Sequence, residues 1–159
     1  MSKKILVSSC LLGAKCAYDG KSRFVGQVKE ICEKFGCVEV CPEMDGGLGC
    51  PRERHEITGG TGDDVLDGRA RVMSSSGKDS TLAFVRGAEC ALKEAKRSGA
   101  KIAIMKSHSP SCGKSEVFAG DFDGEMREGC GVTTALLKRG ELEVFTEKEI
   151  DLIPQDLLS

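Results

Sequence analysis

Apolar positions along the chain fall into short runs separated by stripes of helical spacing. Ile5-Leu6-Val7 follows a charged start and stops at Ser8-Ser9-Cys10, so residues 4 to 8 are expected to form a buried first strand. Phe24, Val25, Val28, Ile31, Cys32 and Phe35 then recur at helical spacing up to Gly36. Cys37 to Val40 predicts a second strand, ended by Cys41-Pro42 because proline has no N–H for a central ladder. Residues 43 to 62 contain six glycines and no apolar period, and they are expected to be one long irregular segment. Residues 65 to 73 predict one or two short strands around Asp67-Gly68.

Asp79 or Ser80 is expected to cap a helix whose stripe is Phe84, Val85, Ala88, Leu92 and Ala95 and whose end is Gly99. Ile102 to Met105 is fully apolar, as strands inside parallel sheets are. Residues 106 to 131 predict loop, with a hairpin around Asp123-Gly124. A short helix from Val132 to Lys138 and a last strand from Leu142 to Phe145 follow. Alternation of strands with helices predicts an α/β fold with a central, mostly parallel sheet flanked by helices, a Rossmann-like three-layer arrangement. The 159 residues suffice for one core, so residues 1–159 are expected to be a single domain.

Composition narrows the partners. The formal net charge is -2 and there are only seven aromatics, six Phe and one Tyr, which leaves little basic surface or stacking platform. A macromolecular nucleic acid is therefore not an expected partner. No apolar run approaches the roughly 20 residues that cross a bilayer, and no signal-peptide core follows Lys3-Lys4. A cytoplasmic location is expected, while the oligomeric state is not readable.

Nine cysteines change the picture, at 10, 16, 32, 37, 41, 50, 90, 112 and 130. In a reducing compartment a disulfide framework is not expected, and an odd number cannot pair completely within the chain. No C-x-x-C pair occurs, which removes zinc-ribbon, thioredoxin and bacterial-ferredoxin spacings. Cys10, Cys41 and Cys112 each follow a different predicted strand, and ligands of open α/β sheets bind outside the carboxyl ends of the strands. Three thiols on one rim can ligate a metal or a cluster. Three rather than four would leave a coordination position open, the mark of a reactive site. Cys32, Cys37 and Cys90 lie in or beside predicted helices and strands and are read as packing residues. Cys16, Cys50 and Cys130 lie in loops; Cys16, six residues after Cys10, is the best placed fourth thiol. Glu43 stands two residues beyond Cys41, where a carboxylate can serve as general base; the bland alternative is a solvated loop acid.

Ser74-Ser75-Ser76-Gly77-Lys78-Asp79-Ser80 resembles the pyrophosphate loop of ATP-dependent adenylating enzymes, lying between a strand and a helix. A serine-rich turn with a helix cap is the competing explanation. His108 lies near Cys112, but no third group that would complete a Cys-His nucleophile is evident.

Taken in order, Ser9-Cys10-Leu11-Leu12-Gly13 with Cys16 and Tyr18-Asp19-Gly20, Cys41-Pro42-Glu43 with Gly46-Gly47-Leu48 and Pro51-Arg52, Lys106 with Ser109-Pro110-Ser111-Cys112-Gly113, and Gly129 with Gly131-Val132-Thr133 resemble a small bacterial family long known as a domain of unknown function, which includes thiouracil desulfidase. The resemblance spans about residues 5 to 145 and also covers Gly77, Asp79 and Thr81, which accounts for the apparent pyrophosphate loop. It implies a 4Fe-4S cluster held by Cys10, Cys41 and Cys112, with one iron open to the thiocarbonyl sulfur of the substrate. It further implies Glu43 as the base that directs water, Ser109 as a residue that positions the ring, and loss of sulfur without net redox change. Cys50 departs from the family pattern. The expected activity is that of a non-redox desulfidase for a small thiocarbonyl compound such as thiouracil. Two alternatives stay open: a non-catalytic iron-sulfur or metal-binding protein, and an ATP-dependent thiolation enzyme using residues 74-80.

Overall fold

A computed structural model describes residues 5–158. Its centre is a parallel sheet of four strands, β1 (Ile5–Ser8), β2 (Cys37–Val40), β5 (Ile102–Met105) and β8 (Glu143–Thr146), in the order β2-β1-β5-β8. Between them run α1 (Gly26–Phe35), α2 (Pro42–Asp45), β3 (His55–Thr58), α3 (Gly62–Leu66), β4 (Arg71–Ser74), α4 (Thr81–Ser98), β6 (Glu116–Phe118), β7 (Met126–Glu128) and α5 (Val132–Arg139), and α6 (Gln155–Leu158) closes the chain.

The sheet is covered on both faces, because side chains alternate across a strand. Leu6, Val40, Ala103, Met105 and Val144 pack with Ala91 and Ala95 of α4 and Leu137 of α5. Ile5, Val7, Ile102, Ile104 and Phe145 pack on the other side with Val28 of α1, Ile150 and Ile153. The three-layer α/β expectation is met. A smaller core, formed by Ile57, Val65, Val72, Phe84, Ala88, Val117 and Val132, joins the antiparallel pair β3-β4 to α4 and to β6.

The expected hairpin at Asp123-Gly124 is the β6-β7 pair. Gly99 ends α4 in the left-handed conformation that glycine adopts without strain, φ 74°. Asp79 Oδ1 accepts the Thr81 N–H at 2.9 Å, satisfying a free donor at the start of α4.

Four expectations need correction. Residues 43 to 62 are not one irregular segment: α2 is a single turn with proline at its first position, and β3 is a regular strand. Residues 65 and 66 belong to α3, not to a strand, because Thr61 and Asp64 form a capping box there. Cys90 is exposed on α4 and packs no core. Cys32 and Cys37 do pack against the core beside α1, as expected, but as an unexpected disulfide that ties the end of α1 to the start of edge strand β2. Lys4, assigned above to the first strand, lies outside the described residues.

Candidate active site

The carboxyl ends of β1, β2 and β5 face one cavity of about 280 Å³, and the thiols named from strand ends meet there. Cys10 leaves β1 on the one-turn 3-10 segment Ser9–Leu12, Cys41 follows β2, and Cys112 returns from the loop after β5; all three line the cavity, together with Cys16, Glu43, Arg52, Ser109 and Ser111. Its remaining wall includes Tyr18, Phe118 and His108.

The loop that carries Cys112 is pinned from outside. Backbone N–H groups of Val132 and Thr133, at the start of α5, donate to the carbonyls of Pro110 and Ser111 at 2.8 and 2.9 Å. The Thr134 hydroxyl donates to the Cys112 carbonyl at 2.7 Å. Gly131 touches the Ser111 backbone so closely that a Cβ would collide with it. From within, Ser109 Oγ accepts the N–H groups of Ser111 and Cys112, both at 3.1 Å.

Glu43 projects from α2 into the same space. Its Oε1 receives Arg52 Nε at 2.9 Å, and its Oε2 receives the hydroxyls of Ser109 and Ser111 at 3.2 and 3.1 Å. The Arg52 and Glu43 side chains are only 7% and 12% exposed, so this is a sequestered ion pair whose lone pairs are almost all engaged. Ser111 Oγ also lies 3.5 Å from Cys112 Sγ, placing the carboxylate and the thiol on the same hydrogen-bond cluster.

Cys16 is buried and interacts with both the Cys10 and Cys41 thiols. Its pKa is pushed up to about 11, chiefly by the contact with Cys10. The Cys41 thiol is raised further, first by Cys16 and then by burial. Burial alone is the main cause that lifts Cys112 to about 11. Arg52 pulls Cys16 and Cys41 the other way, but less than the thiol contacts and burial push them up, so these thiols hold their protons and a metal would have to displace them. Among the described residues no three His, Cys, Asp or Glu side chains close on one point as ligands of a single ion do.

The remaining residues singled out in the sequence lie elsewhere. Cys50 Sγ sits 3.2 and 3.4 Å from the carbonyls of Lys15 and Ala17 and does not line the cavity. Cys130 is buried against the Lys114 carbonyl. The serine loop at 74–80 has its donors taken: Glu53 Oε1 accepts from the Ser75 hydroxyl and the Ser76 N–H, where a phosphate would have to sit. None of its residues lines the cavity. His55, which does, has Nδ1 3.0 Å from the Glu53 carbonyl and Nε2 3.0 Å from Ser80 Oγ, so both ring nitrogens are engaged. Sequence reasoning missed Arg52 and Ser111 as members of the site. Both stood inside quoted motifs, but nothing in their spacing marked a role.

Three comparisons bear on the site. Residues 5–149 match the model of a family described as 2-thiouracil desulfurase. An uncharacterized Bacillus subtilis protein, YbbK, is 42% identical over 147 residues, which is 92% of this chain and 97% of that one. A solved structure of the [4Fe-4S]-dependent thiouracil desulfidase TudS superposes with a TM-score of 0.85 at 36% identity, covering 98% of this chain and 97% of the other.

Proposed function

The chain belongs to the 2-thiouracil desulfurase family, and we propose that it removes sulfur from a small thiocarbonyl compound such as 2-thiouracil by hydrolysis. The observation that carries this reading is Glu43, held nearly out of water between Arg52 and two serines, in a cavity that also gathers four thiols. The donor set fits an iron-sulfur cluster, because thiolate sulfur is what such clusters take and the neighbouring carboxylate is already committed to a guanidinium. Cys10, Cys41 and Cys112 would hold it, one from each strand end. A cluster with three protein thiolates supplies one iron open to a soft sulfur ligand.

The chemistry left to the protein is the replacement of C=S by C=O. Water supplies the oxygen, hydrogen sulfide is the other product, and no electron is transferred. Glu43 takes a proton from the water as its oxygen attacks the carbon that bears sulfur. Arg52 keeps the carboxylate aimed before attack. Ser109, whose lone pairs accept two backbone N–H groups and whose one hydroxyl proton is given to Glu43 Oε2, holds the base, and it would reach a ring oxygen or nitrogen of the substrate by turning that proton away from Glu43. Tyr18 and Phe118 add aromatic surface to the wall, with the Arg54 guanidinium over the Phe118 ring. A small molecule fits this cavity. Among the described residues no helix is long and apolar enough to cross a membrane.

Anaerobic reconstitution with iron and sulfide, followed by incubation with 2-thiouracil, tests the proposal. Uracil and sulfide should appear together without an added reductant. A fully loaded protein that releases neither would be a carrier of the cluster rather than an enzyme.

A further inference from the structure

We propose that Arg52 is the positioning residue of this site, and that it fixes in one contact network both the general base and the loop that carries Cys16. The inference rests on the assignment of Glu43 as base. Arg52 spends its whole fork inside the protein: Nε donates to Glu43 Oε1 at 2.9 Å, Nη1 to the Gly49 carbonyl at 3.1 Å, and Nη2 to the Cys16 carbonyl at 2.9 Å. Its backbone N–H donates to the Tyr18 carbonyl at 2.8 Å. Carbonyls 15 and 17 lie against Cys50 Sγ, so residues 50 and 52 together meet the carbonyls of four consecutive residues, 15 to 18.

The geometry separates two tasks. Through Nε, Arg52 holds one oxygen of Glu43 while Ser109 and Ser111 hold the other, which leaves the carboxylate a single orientation. Through Nη2 it sets the height of the Cys16 backbone, and with it the wall of the cavity beside Cys10 and Cys41. A guanidinium can do both because its donors are rigidly arranged in one plane and spread over three nitrogens, whereas the three donors of an ammonium radiate from a single nitrogen without that fixed fork. Arg52 therefore acts on the reaction through Glu43 and does not itself need to touch the substrate.

A double-mutant cycle with loaded protein and 2-thiouracil tests this. Arg52→Gln should lower kcat by about 10²-fold, the scale of loss when a reacting group is misplaced by an ångström. KM should stay near its original value. In a Glu43→Gln background the same substitution should cost much less, because the base it positions is already gone and only the contact with the Cys16 carbonyl is left to lose. Arg52→Lys, which keeps the charge and most of the side-chain volume, should fall between Arg52→Gln and the parent. If Arg52→Gln does not fold, the Arg52→Lys pair of the cycle carries the same non-additivity. Iron per chain, measured on every variant, should not change. Full, additive losses in both backgrounds, or a rise in KM at unchanged kcat, would overturn the proposal. A parent protein that releases no sulfide from 2-thiouracil would instead overturn the assignment of the base and the function on which it rests.

Discussion

Gly87 in the middle of α4 faces the carbonyl of Pro42 at the start of α2, with no room between them for a Cβ. Gly46 makes the reciprocal contact with the Ala83 carbonyl. The single turn that carries Glu43 is therefore seated on the backbone of the longest helix, and the precision of the site depends on two absent side chains.

This contact predicts that Gly87→Ala is harmful although alanine is the better helix former. Overpacking should cost about 1–3 kcal/mol, visible as a lower denaturation midpoint. Turnover should fall with it, because the only relief is for α2, and Glu43 with it, to move away. A variant as stable and active as the parent would show that α2 is not held there.

Glu43→Gln should keep iron and substrate binding but lose about 10²- to 10⁴-fold in turnover, because an amide cannot accept the proton of attacking water. Parallel measurement of iron, bound 2-thiouracil and released sulfide checks this. Iron lost together with activity would mean that the carboxylate serves the cluster instead.

The central sheet is legible in the sequence because Ile5 to Val7 and Ile102 to Met105 are apolar on both faces, as parallel strands under two helical layers must be. The same topology makes Cys10, Cys41 and Cys112 readable as neighbours. Residues 43 to 70 are not legible in this way, although the strand expected just before the serine loop is β4. The strand β3 buries His55 and Glu56, which are tolerated there because Ser80, Arg54 and the N–H groups of Gly120 and Phe122 satisfy them. Hydrophobic periodicity cannot see a strand buried by polar residues. Nor can it see Arg52, an arginine in a glycine-rich stretch whose burial is decided by Glu43 and by the carbonyls of Gly49 and Cys16, which only the folded chain brings to it.

The Cys32–Cys37 pair gives a prediction separate from catalysis. The two cysteines are 5 positions apart, and closing so short a loop is worth about 2 kcal/mol in the chain-entropy model. Cys32→Ser or Cys37→Ser should lower the denaturation midpoint under oxidising conditions and leave iron content untouched, and with a strong reductant present the difference from the parent should vanish. Loss of iron in either variant would place the pair in the metal site.

Burial of His55 lowers its pKa, against a smaller opposing pull from Glu43. The folded state then binds fewer protons than the unfolded state just below pH 6.5, so the stabilisation is complete above that value and is lost as pH falls through the folded-state pKa. Denaturation measured at pH 7.5 and at pH 5.5 should show a drop that His55→Gln reduces. An unchanged drop in His55→Gln would assign it to other groups.

The measurement that bears most directly on the site is iron per chain, with sulfide released from 2-thiouracil, in Cys10→Ser, Cys41→Ser, Cys112→Ser and Cys16→Ser proteins reconstituted side by side without oxygen. The account predicts that the first three lose the cluster and the reaction together, while Cys16→Ser keeps most of its iron. A Cys112→Ser protein that retains iron and activity, beside a Cys16→Ser protein that loses both, would contradict it.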